Sequence, residues 1–312
     1  MTRRDLLLTS LAPVALSAKS RIERSRLSAI TDEIANSPDD AIAFAKQYGL
    51  KWVELRAVPN KRGAEPRPGP RGEYALLPEE AVKAAAAQLS AAGLRVSFLN
   101  TSLLKFTWPG TEPVRRRPET DEARARRLKS EGERFERRME DLNKAIRAAH
   151  ILGVDRIRVF TGTRVEEPRK LFGRMADVLG EMARVAEKQK VQLLVENEGS
   201  CNIATSAETA DLLAMLPSKA IGINWDPLNE VSQKQAPFPG GYNLLPKKRI
   251  GNVQIKGRSV LEGPQKLDWK AIFSALDRDG YKGKIGLETH IFESLIESSH
   301  ASMKAILSLL ET

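Results

Sequence analysis

The chain has 312 residues, with 50 Lys and Arg against 40 Asp and Glu, and 41 % of its residues are hydrophobic. This length and apolar content fit one large globular domain or two modest ones, and they argue against a disordered chain. The single cysteine, Cys201, excludes a disulfide scaffold. After the first twenty residues no apolar run approaches the roughly 18 to 20 residues of a membrane span, so we expect no membrane partner for the mature chain.

The net charge of +10 raises the question of nucleic-acid binding. The densest basic stretch, Arg115 to Lys129, is interrupted by acidic residues and contains no aromatic side chain that would stack on bases. We therefore interpret it as a solvated face or loop, with capture of a small anion as the alternative, and expect no nucleic-acid partner.

The first twenty residues have the layout of an export signal. Arg3 and Arg4 precede a mildly apolar run from Leu6 to Ala18, which is too short to span a bilayer. The segment TRRDLL resembles the twin-arginine export motif of bacteria. We expect residues 1–20 to be a twin-arginine-type signal peptide, residues 21–312 to be the folded domain, and the protein to be periplasmic or exported.

The remaining chain alternates apolar, β-branched runs with helical patterns. Eight runs predict strands: Leu27–Thr31, Trp52–Leu55, Leu94–Leu99, Arg156–Phe160, Val191–Val195, Ile221–Trp225, Asn252–Ile255 and Ile285–Leu287. Helical patterns between them include Pro38–Tyr48, Pro78–Ala92, Pro168–Lys188, Ser206–Leu216, Leu267–Leu276 and Glu297–Leu310. Strands that alternate with helices form parallel sheets, and eight such units predict an α/β fold, a single-domain (β/α)8 TIM barrel. The connection after Trp225 shows no clear helix before Gly251.

The loop lengths suggest where function lies. The long segments Pro59–Gly72, Thr107–Thr120 and Pro227–Lys248 each follow the carboxyl end of a predicted strand, whereas the turns that lead into strands are short. In a TIM barrel the loops after the strands build the active face.

Three carboxylates end three of the apolar strands or follow them by one residue: Glu196 in LLVENE, Asp226 in INWDP and Glu288 in GLETH. Side chains alternate across a strand, and the neighbours of these acids on the other face are all apolar, so we expect the polar set to point into the barrel. Clustered acids are costly to bury without a positive charge among them.

A divalent cation and Lys256 are the two candidates for that charge. Oxygen atoms from Glu196, Asp226, Gln254 and Glu288, on four neighbouring strands, would surround one point near the mouth. An all-oxygen set of ligands suits Mn²⁺ or Mg²⁺ better than Zn²⁺. The alternative is a metal-free arrangement in which the acids form ion pairs with Lys256 and Arg158.

Eight segments, spread in order from Leu27 to His290, resemble the xylose isomerase-like TIM-barrel family of sugar phosphate isomerases and epimerases: LSAITDEI, WVELR, VSFLN, RVFTG, LVENEG, INWDP, VQIK and GLETH. That resemblance implies one divalent metal, commonly Mn²⁺, held by Glu, Asp, His and Glu. In this chain those positions are occupied by Glu196, Asp226, Gln254 and Glu288. The chain departs from the family pattern at Gln254, where many members have His, and at Asn229, where epimerases tend to have His.

The resemblance also implies a reaction. A ketose or keto-sugar would lose its α-proton to form an enediolate, with Glu196 and Glu288 as the acid/base pair. We expect a metal-dependent isomerase or epimerase of a carbohydrate. The alternatives are a lyase or dehydratase acting on a keto-sugar, keto-glycoside or keto-inositol, and a non-catalytic carbohydrate-binding barrel. The sequence leaves open the substrate and whether the chain forms a homo-oligomer.

Five further residues are expected to contact substrate: Lys256, Arg158, His290, Asn229 and Trp108. Lys256 would hold a substrate oxygen or orient Asp226, and His290 would shuttle a proton or cap the following helix. Arg158 would bind substrate or bridge Glu54 and Glu196, with Glu54 interpreted as its structural partner. Trp108 would stack on a sugar ring or anchor its loop.

Overall fold

The computed structural model describes residues 22–60, 72–114 and 118–311. Within these ranges the chain forms eight strands, and each of the eight predicted strands is confirmed. They are β1 (Leu27–Ala29), β2 (Trp52–Leu55), β3 (Arg95–Leu99), β4 (Arg156–Val159), β5 (Gln192–Glu196), β6 (Ile221–Trp225), β7 (Ile250–Lys256) and β8 (Lys284–Glu288).

The strands form one parallel sheet that curls into a barrel. Their order is β1-β8-β7-β6-β5-β4-β3-β2, and all neighbouring pairs in this order are parallel. A single bridge between Ile30 and Glu54 joins the β1 and β2 edges. The predicted fold, a single-domain (β/α)8 TIM barrel, is therefore confirmed.

Helices cover the outside of the barrel. The longer ones are α1 (Pro38–Gln47), α2 (Glu79–Ala91), α3 (Asp121–Glu136), α4 (Arg138–Leu152), α5 (Phe172–Lys188), α6 (Ser206–Ala214), α7 (Trp269–Arg278) and α8 (Leu295–Leu310). Short helical turns lie at Arg24–Arg26, Thr31–Ile34, Tyr74–Leu76, Pro168–Leu171, Gly257–Val260 and Phe292–Ser294. Local signals place the helix starts: Ser37 accepts a hydrogen bond from Asp40 N with Pro38 in the first turn, and Thr205 forms a capping box with Glu208.

The connection after β6 is the irregular one, as its sequence predicts. It consists of short turns at Pro227–Val231, Pro237–Gly241, Tyr242–Leu244 and Lys247–Arg249 instead of one covering helix. Tyr242, from this connection, is buried and packs its ring against Trp225, so it covers part of the β6 surface that a helix would otherwise cover.

The two faces of the strands divide as the alternating pattern predicts. The apolar face, with Ile223, Trp225 and Val253, belongs to the core between sheet and helices. The other face carries many polar side chains into the barrel interior, together with apolar ones such as Leu194, which packs where Gly222 and Gly251 lack side chains. Polar groups are thereby concentrated inside the barrel.

The structure describes most of the basic stretch but not the predicted signal peptide. Asp121 to Lys129 lies in α3, of which only Phe135 is buried, so this part is a solvated face. No helix among the described residues is long and apolar enough to cross a membrane. The signal at residues 1–20 lies outside the described residues, and export stays a prediction.

Gly286 provides a test of how tightly the interior is filled. A Cβ at this position would overlap Glu54 Oε1 and lie 2.9 Å from Gln254 Oε1, and both are buried. We expect Gly286→Ala to lower the free energy of unfolding by about 1–3 kcal/mol because the buried pair must shift. The control is Gly173→Ala on exposed α5, where a Cβ meets nothing within 4 Å. Equal urea midpoints for both variants would contradict this packing.

Candidate active site

Three carboxylates meet at the carboxyl ends of β5, β6 and β8. One oxygen each of Glu196, Asp226 and Glu288 lies within 4.8 Å of the others, and all three residues are buried. The sequence predicts this group because parallel strands that end at the same rim bring their last residues together.

Local structure fixes the direction of Asp226. It is the N-cap of the turn Pro227–Val231, and its Oδ1 accepts hydrogen bonds from the backbone N–H groups of Leu228 and Asn229 at 2.9 and 3.1 Å. Capping leaves Oδ2 as the oxygen that faces the other acids.

Each carboxylate has a cationic partner. Arg158 Nη1 donates to Glu196 Oε2 at 3.1 Å, and Arg56 Nη1 donates to Glu288 Oε1 at 3.2 Å. Lys256 Nζ lies 3.0 Å from Asp226 Oδ2 and 3.9 Å from Glu288 Oε2. The structure thus contains the ion pairs with Lys256 and Arg158 that the metal-free interpretation predicts. It also contains the group of carboxylate oxygens that the metal interpretation predicts.

The ion pairs do not balance the charge. Arg56 also binds Asp32 and Glu33 at 2.7 and 2.5 Å. The cluster thus contains five carboxylates and three cationic side chains, a formal charge of −2 when all are ionised: Asp32, Glu33, Glu196, Asp226 and Glu288 against Arg56, Arg158 and Lys256. A divalent cation would neutralise this charge.

The pKa values of Asp226 and Glu288 move in opposite directions. Burial raises the pKa of Asp226 to about 7, and Lys256 only partly offsets that effect. Burial would also raise the pKa of Glu288, but Lys256, Arg56 and Arg158 outweigh it and lower that pKa to about 2. Glu288 is thus held as a carboxylate, whereas Asp226 exchanges its proton near neutral pH when only Lys256 offsets its charge.

Gln254, the fourth predicted ligand, lies on β7 and points its amide nitrogen away from the acids. Its Nε2 donates to Glu54 Oε2 at 2.7 Å, while its Oε1 is buried without a hydrogen-bond donor among the described residues. Asp226 Oδ2 and Glu288 Oε2 likewise lack a hydrogen bond there. Three such oxygens, carried by three adjacent strands, fit a hard divalent cation. A second group of possible ligands, Glu33, Glu288 and His290, shares Glu288 with the first.

The interpretation of Glu54 as the partner of Arg158 is wrong. Glu54 accepts hydrogen bonds from Ser28, Asn100, Asn252 and Gln254, all neutral. Arg158 instead donates to Glu196 and to Thr101 O, and its guanidinium lies 4.9 Å from the ring centre of Phe160. Glu54 and Arg158 lie in different layers of the barrel interior. Glu54 is in the layer of Gly286, which is closer to the amino ends of the strands than the three acids are.

Arg56, Asp32 and Glu33 are site residues that were not predicted from the sequence. Arg56, in the segment WVELR, directly follows β2, and the other two, in LSAITDEI, lie in the turn Thr31–Ile34 shortly after β1. The signal was available: charged residues at the carboxyl ends of two further strands. Arg56 joins the first strands to the last, because it binds both Asp32 and Glu288.

A cavity of about 790 Å³ lies beside the acids: Lys256, which contacts Asp226, lines it, whereas the three carboxylates do not. Asn229 and His290, two further predicted substrate contacts, also line it, together with Arg164 and Glu198. Lys256 Nζ donates to Asn229 Oδ1 at 2.5 Å, so these two side chains form one unit. The backbone N–H of His290 donates to Glu33, and its half-exposed ring remains accessible from the cavity.

Two other predicted contacts lie elsewhere. Arg158 is buried beneath the cavity, and its role is to bind Glu196. Trp108 is 1 % exposed and packs on Phe135 and against Gly162. Stacking of Trp108 on a sugar ring does not fit this burial, and the alternative of a loop anchor does.

Comparison with known proteins gives the same architecture. The family described as xylose isomerase-like TIM barrel matches residues 42–308. No curated protein sequence matches the chain.

Three solved structures illustrate the range of similar barrels. The IolI protein with a bound zinc atom is 14 % identical, with a TM-score of 0.64, over 92 % of this chain and 98 % of its own. The probable 3-DHS dehydratase AsbF of Bacillus anthracis is 14 % identical (TM-score 0.63; 90 % and 98 % covered). The 3-keto-D-glucoside 4-epimerase YcjR of E. coli is 15 % identical (TM-score 0.64; 92 % and 99 % covered). At these identities the likeness shows the fold alone.

The raised pKa of Asp226 predicts a pH dependence of stability. A carboxyl with a higher pKa in the folded state binds its proton more tightly when folded, so chelator-treated protein should lose stability as pH rises from the ordinary value of 3.8 through about 7. Asp226→Asn should remove this component. We would measure urea unfolding from pH 5 to 8, with exposed Asp177→Asn as control. If wild type and Asp226→Asn change in parallel with pH, the assignment is wrong.

Proposed function

Since the chain belongs to the xylose isomerase-like TIM-barrel family, we propose that it is a metal-dependent isomerase or epimerase of a ketose or keto-sugar. The observation that carries this proposal is the buried group Glu196, Asp226 and Glu288, which Lys256 connects to a large polar cavity beside it. The 3-keto-D-glucoside 4-epimerase among the similar barrels supports a small carbohydrate as the ligand.

The metal site would consist of buried oxygens that accept no hydrogen bond in the described part of the chain; two of them have only the ammonium of Lys256 as an ion-pair partner. Asp226 Oδ2, Glu288 Oε2 and Gln254 Oε1 would be ligands together with Glu196, and this all-oxygen set favours Mn²⁺ or Mg²⁺. When bound, the ion would polarise the substrate carbonyl and stabilise negative charge on its oxygen.

The chain's own residues supply the proton transfers. Lys256, Arg56 and Arg158 hold Glu288 in the unprotonated form that a general base requires, although the same three cations also lower its basicity. We propose that Glu288 accepts the α-proton when the substrate oxygen engages Lys256. Both hydrogen bonds described for Glu196 end on Oε2, from Arg158 and Asn224. Its Oε1 is then the atom that exchanges a proton with the opposite face of the α-carbon.

Lys256 and Asn229 would bind the substrate where the cavity meets the acids. Their mutual hydrogen bond fixes the ammonium beside Asp226 and Glu288. From there the ammonium would donate to a substrate hydroxyl or carbonyl oxygen and stabilise the enediolate.

A lyase or dehydratase is the second candidate, because it begins with the same proton removal. The cavity volume of about 790 Å³ leaves room for a keto-glycoside, whose aglycone a lyase would expel, since sites of about 300–1,000 Å³ hold drug-sized ligands. If the predicted signal exports the protein, a phosphorylated sugar is a poor substrate, because sugar phosphates are cytoplasmic metabolites.

The proposal is tested by incubating the Mn²⁺-loaded protein with ketoses and keto-glycosides in deuterated water. Deuterium on an intact α-carbon identifies an isomerase or epimerase, and release of water or an aglycone identifies a lyase. We expect Glu196→Gln and Glu288→Gln each to slow exchange by about 10²–10⁴-fold, because each loses a proton carrier.

The matched control is Glu297→Gln, an exposed position of α8. It should leave the exchange rate at the wild-type value. Ligand binding without exchange or turnover by the wild type, unchanged in both site variants, would instead identify a non-catalytic carbohydrate-binding barrel.

A further inference from the structure

We infer that Glu54, on β2 beneath the three carboxylates, is a positioning residue that orients the amide groups of the site. It directs an N–H group to Glu196 and leaves the carbonyl oxygen of Gln254 free for the ion. The part of this inference that concerns the ion rests on the proposed function.

Glu54 is saturated by neutral donors. It is 0 % exposed, and Ser28 Oγ and Asn252 Nδ2 donate to its Oε1 at 2.8 and 3.3 Å. Asn100 Nδ2 and Gln254 Nε2 donate to its Oε2 at 2.9 and 2.7 Å. Burial raises the pKa of the Glu54 carboxyl, and the four donors oppose that effect because they stabilise the ionised form. In that form the carboxylate only accepts hydrogen bonds, at about four positions, so every group around it must present a donor.

This requirement decides the orientation of Gln254. An amide has a donor end and an acceptor end, and Glu54 takes the donor end. The acceptor, Oε1, is then the atom left buried without a hydrogen bond among the described residues. Gly286 permits the arrangement, because any side chain there would overlap Glu54 and Gln254.

A second chain of amides runs from Glu54 to Glu196. Asn252 Nδ2 donates both to Glu54 and to Asn224 Oδ1, the latter at 3.0 Å. Asn224 Nδ2 in turn donates to Glu196 Oε2 at 2.6 Å. Reversing either amide would place a carbonyl oxygen against a carboxylate and leave buried groups unpaired, at about 1–3 kcal/mol each.

Glu54 therefore acts on the metal site without touching it. Hard divalent cations accept amide carbonyl oxygens as ligands. A carboxylate behind a neutral ligand fixes its orientation and increases its basicity, and loss of such a partner typically costs about 10–100-fold in metal affinity. Glu54 gives Gln254 this support.

The test compares Mn²⁺ affinity, by calorimetry or electron paramagnetic resonance, in Glu54→Gln and in Glu54→Gln/Gln254→Glu. In the single variant an NH₂ group replaces one carboxylate oxygen at position 54 and faces groups that are themselves donors. We expect the side-chain amide of Gln254 to reverse in response, which would point its Nε2 at the ion. We expect about 10–100-fold weaker Mn²⁺ binding. In the double variant the amide and carboxylate exchange places, an oxygen faces the ion again, and affinity should recover.

Asn100→Ala is the matched control, because Asn100 donates to Glu54 but lies outside both amide chains. If Glu54 is only structural, Glu54→Gln and Asn100→Ala will lower the urea midpoint alike and bind Mn²⁺ as the wild type does. That outcome overturns the inference, and so does a wild-type protein that binds no divalent ion.

The proposed reaction has a separate readout. Wild-type exchange of the α-proton with unchanged Mn²⁺ affinity in Glu54→Gln would overturn the role of Glu54 and leave the reaction intact. Weaker Mn²⁺ binding in that variant, without exchange on any keto-sugar, would support the role of Glu54 and overturn the reaction.

Discussion

Burial of more carboxylates than cations at the mouth of the barrel is the constraint on which this structure depends. Charges a few ångströms apart in a poorly solvated site interact strongly, and a buried acid without a partner destabilises the fold. Arg56, Arg158 and Lys256 relieve part of the repulsion, and the negative charge that remains would favour a bound cation. The same imbalance separates the pKa values of Asp226 and Glu288, and such separation is how one site obtains both acid and base.

The layer below the acids shows how a polar barrel interior is kept in order. Amides and hydroxyls, each a directional group, surround Glu54 with donors and pass its orientation on to Glu196. Gly286 matters because its missing side chain is the space that Glu54 and Gln254 occupy. Packing and hydrogen bonding thus specify the same arrangement, which is what a site held on rigid strands requires.

The loops above the strands determine what the acids can act upon. TIM barrels of similar architecture carry different reactions, as the epimerase and the probable dehydratase among the similar structures illustrate. In this chain the cavity is lined mainly by polar and charged side chains, while the aromatic Trp108 is buried as an anchor. Recognition would therefore depend on hydrogen bonds to hydroxyl groups more than on stacking.

The sequence alone determined the eight strands, the barrel and the meeting of Glu196, Asp226 and Glu288. These features are periodic and local: alternation assigns each side chain to a face, and parallel strands align their ends. Four further features depended on closure of the barrel: the contact of Arg56 with Glu288, the pairing of Glu54 with Gln254, the attachment of Arg158 to Glu196 and not to Glu54, and the burial of Trp108. Only the tertiary structure decided them. The depth at which a side chain lies inside a barrel follows from the stagger of the strands and from the glycines on neighbouring strands. No local pattern in the chain shows which strands and glycines become neighbours.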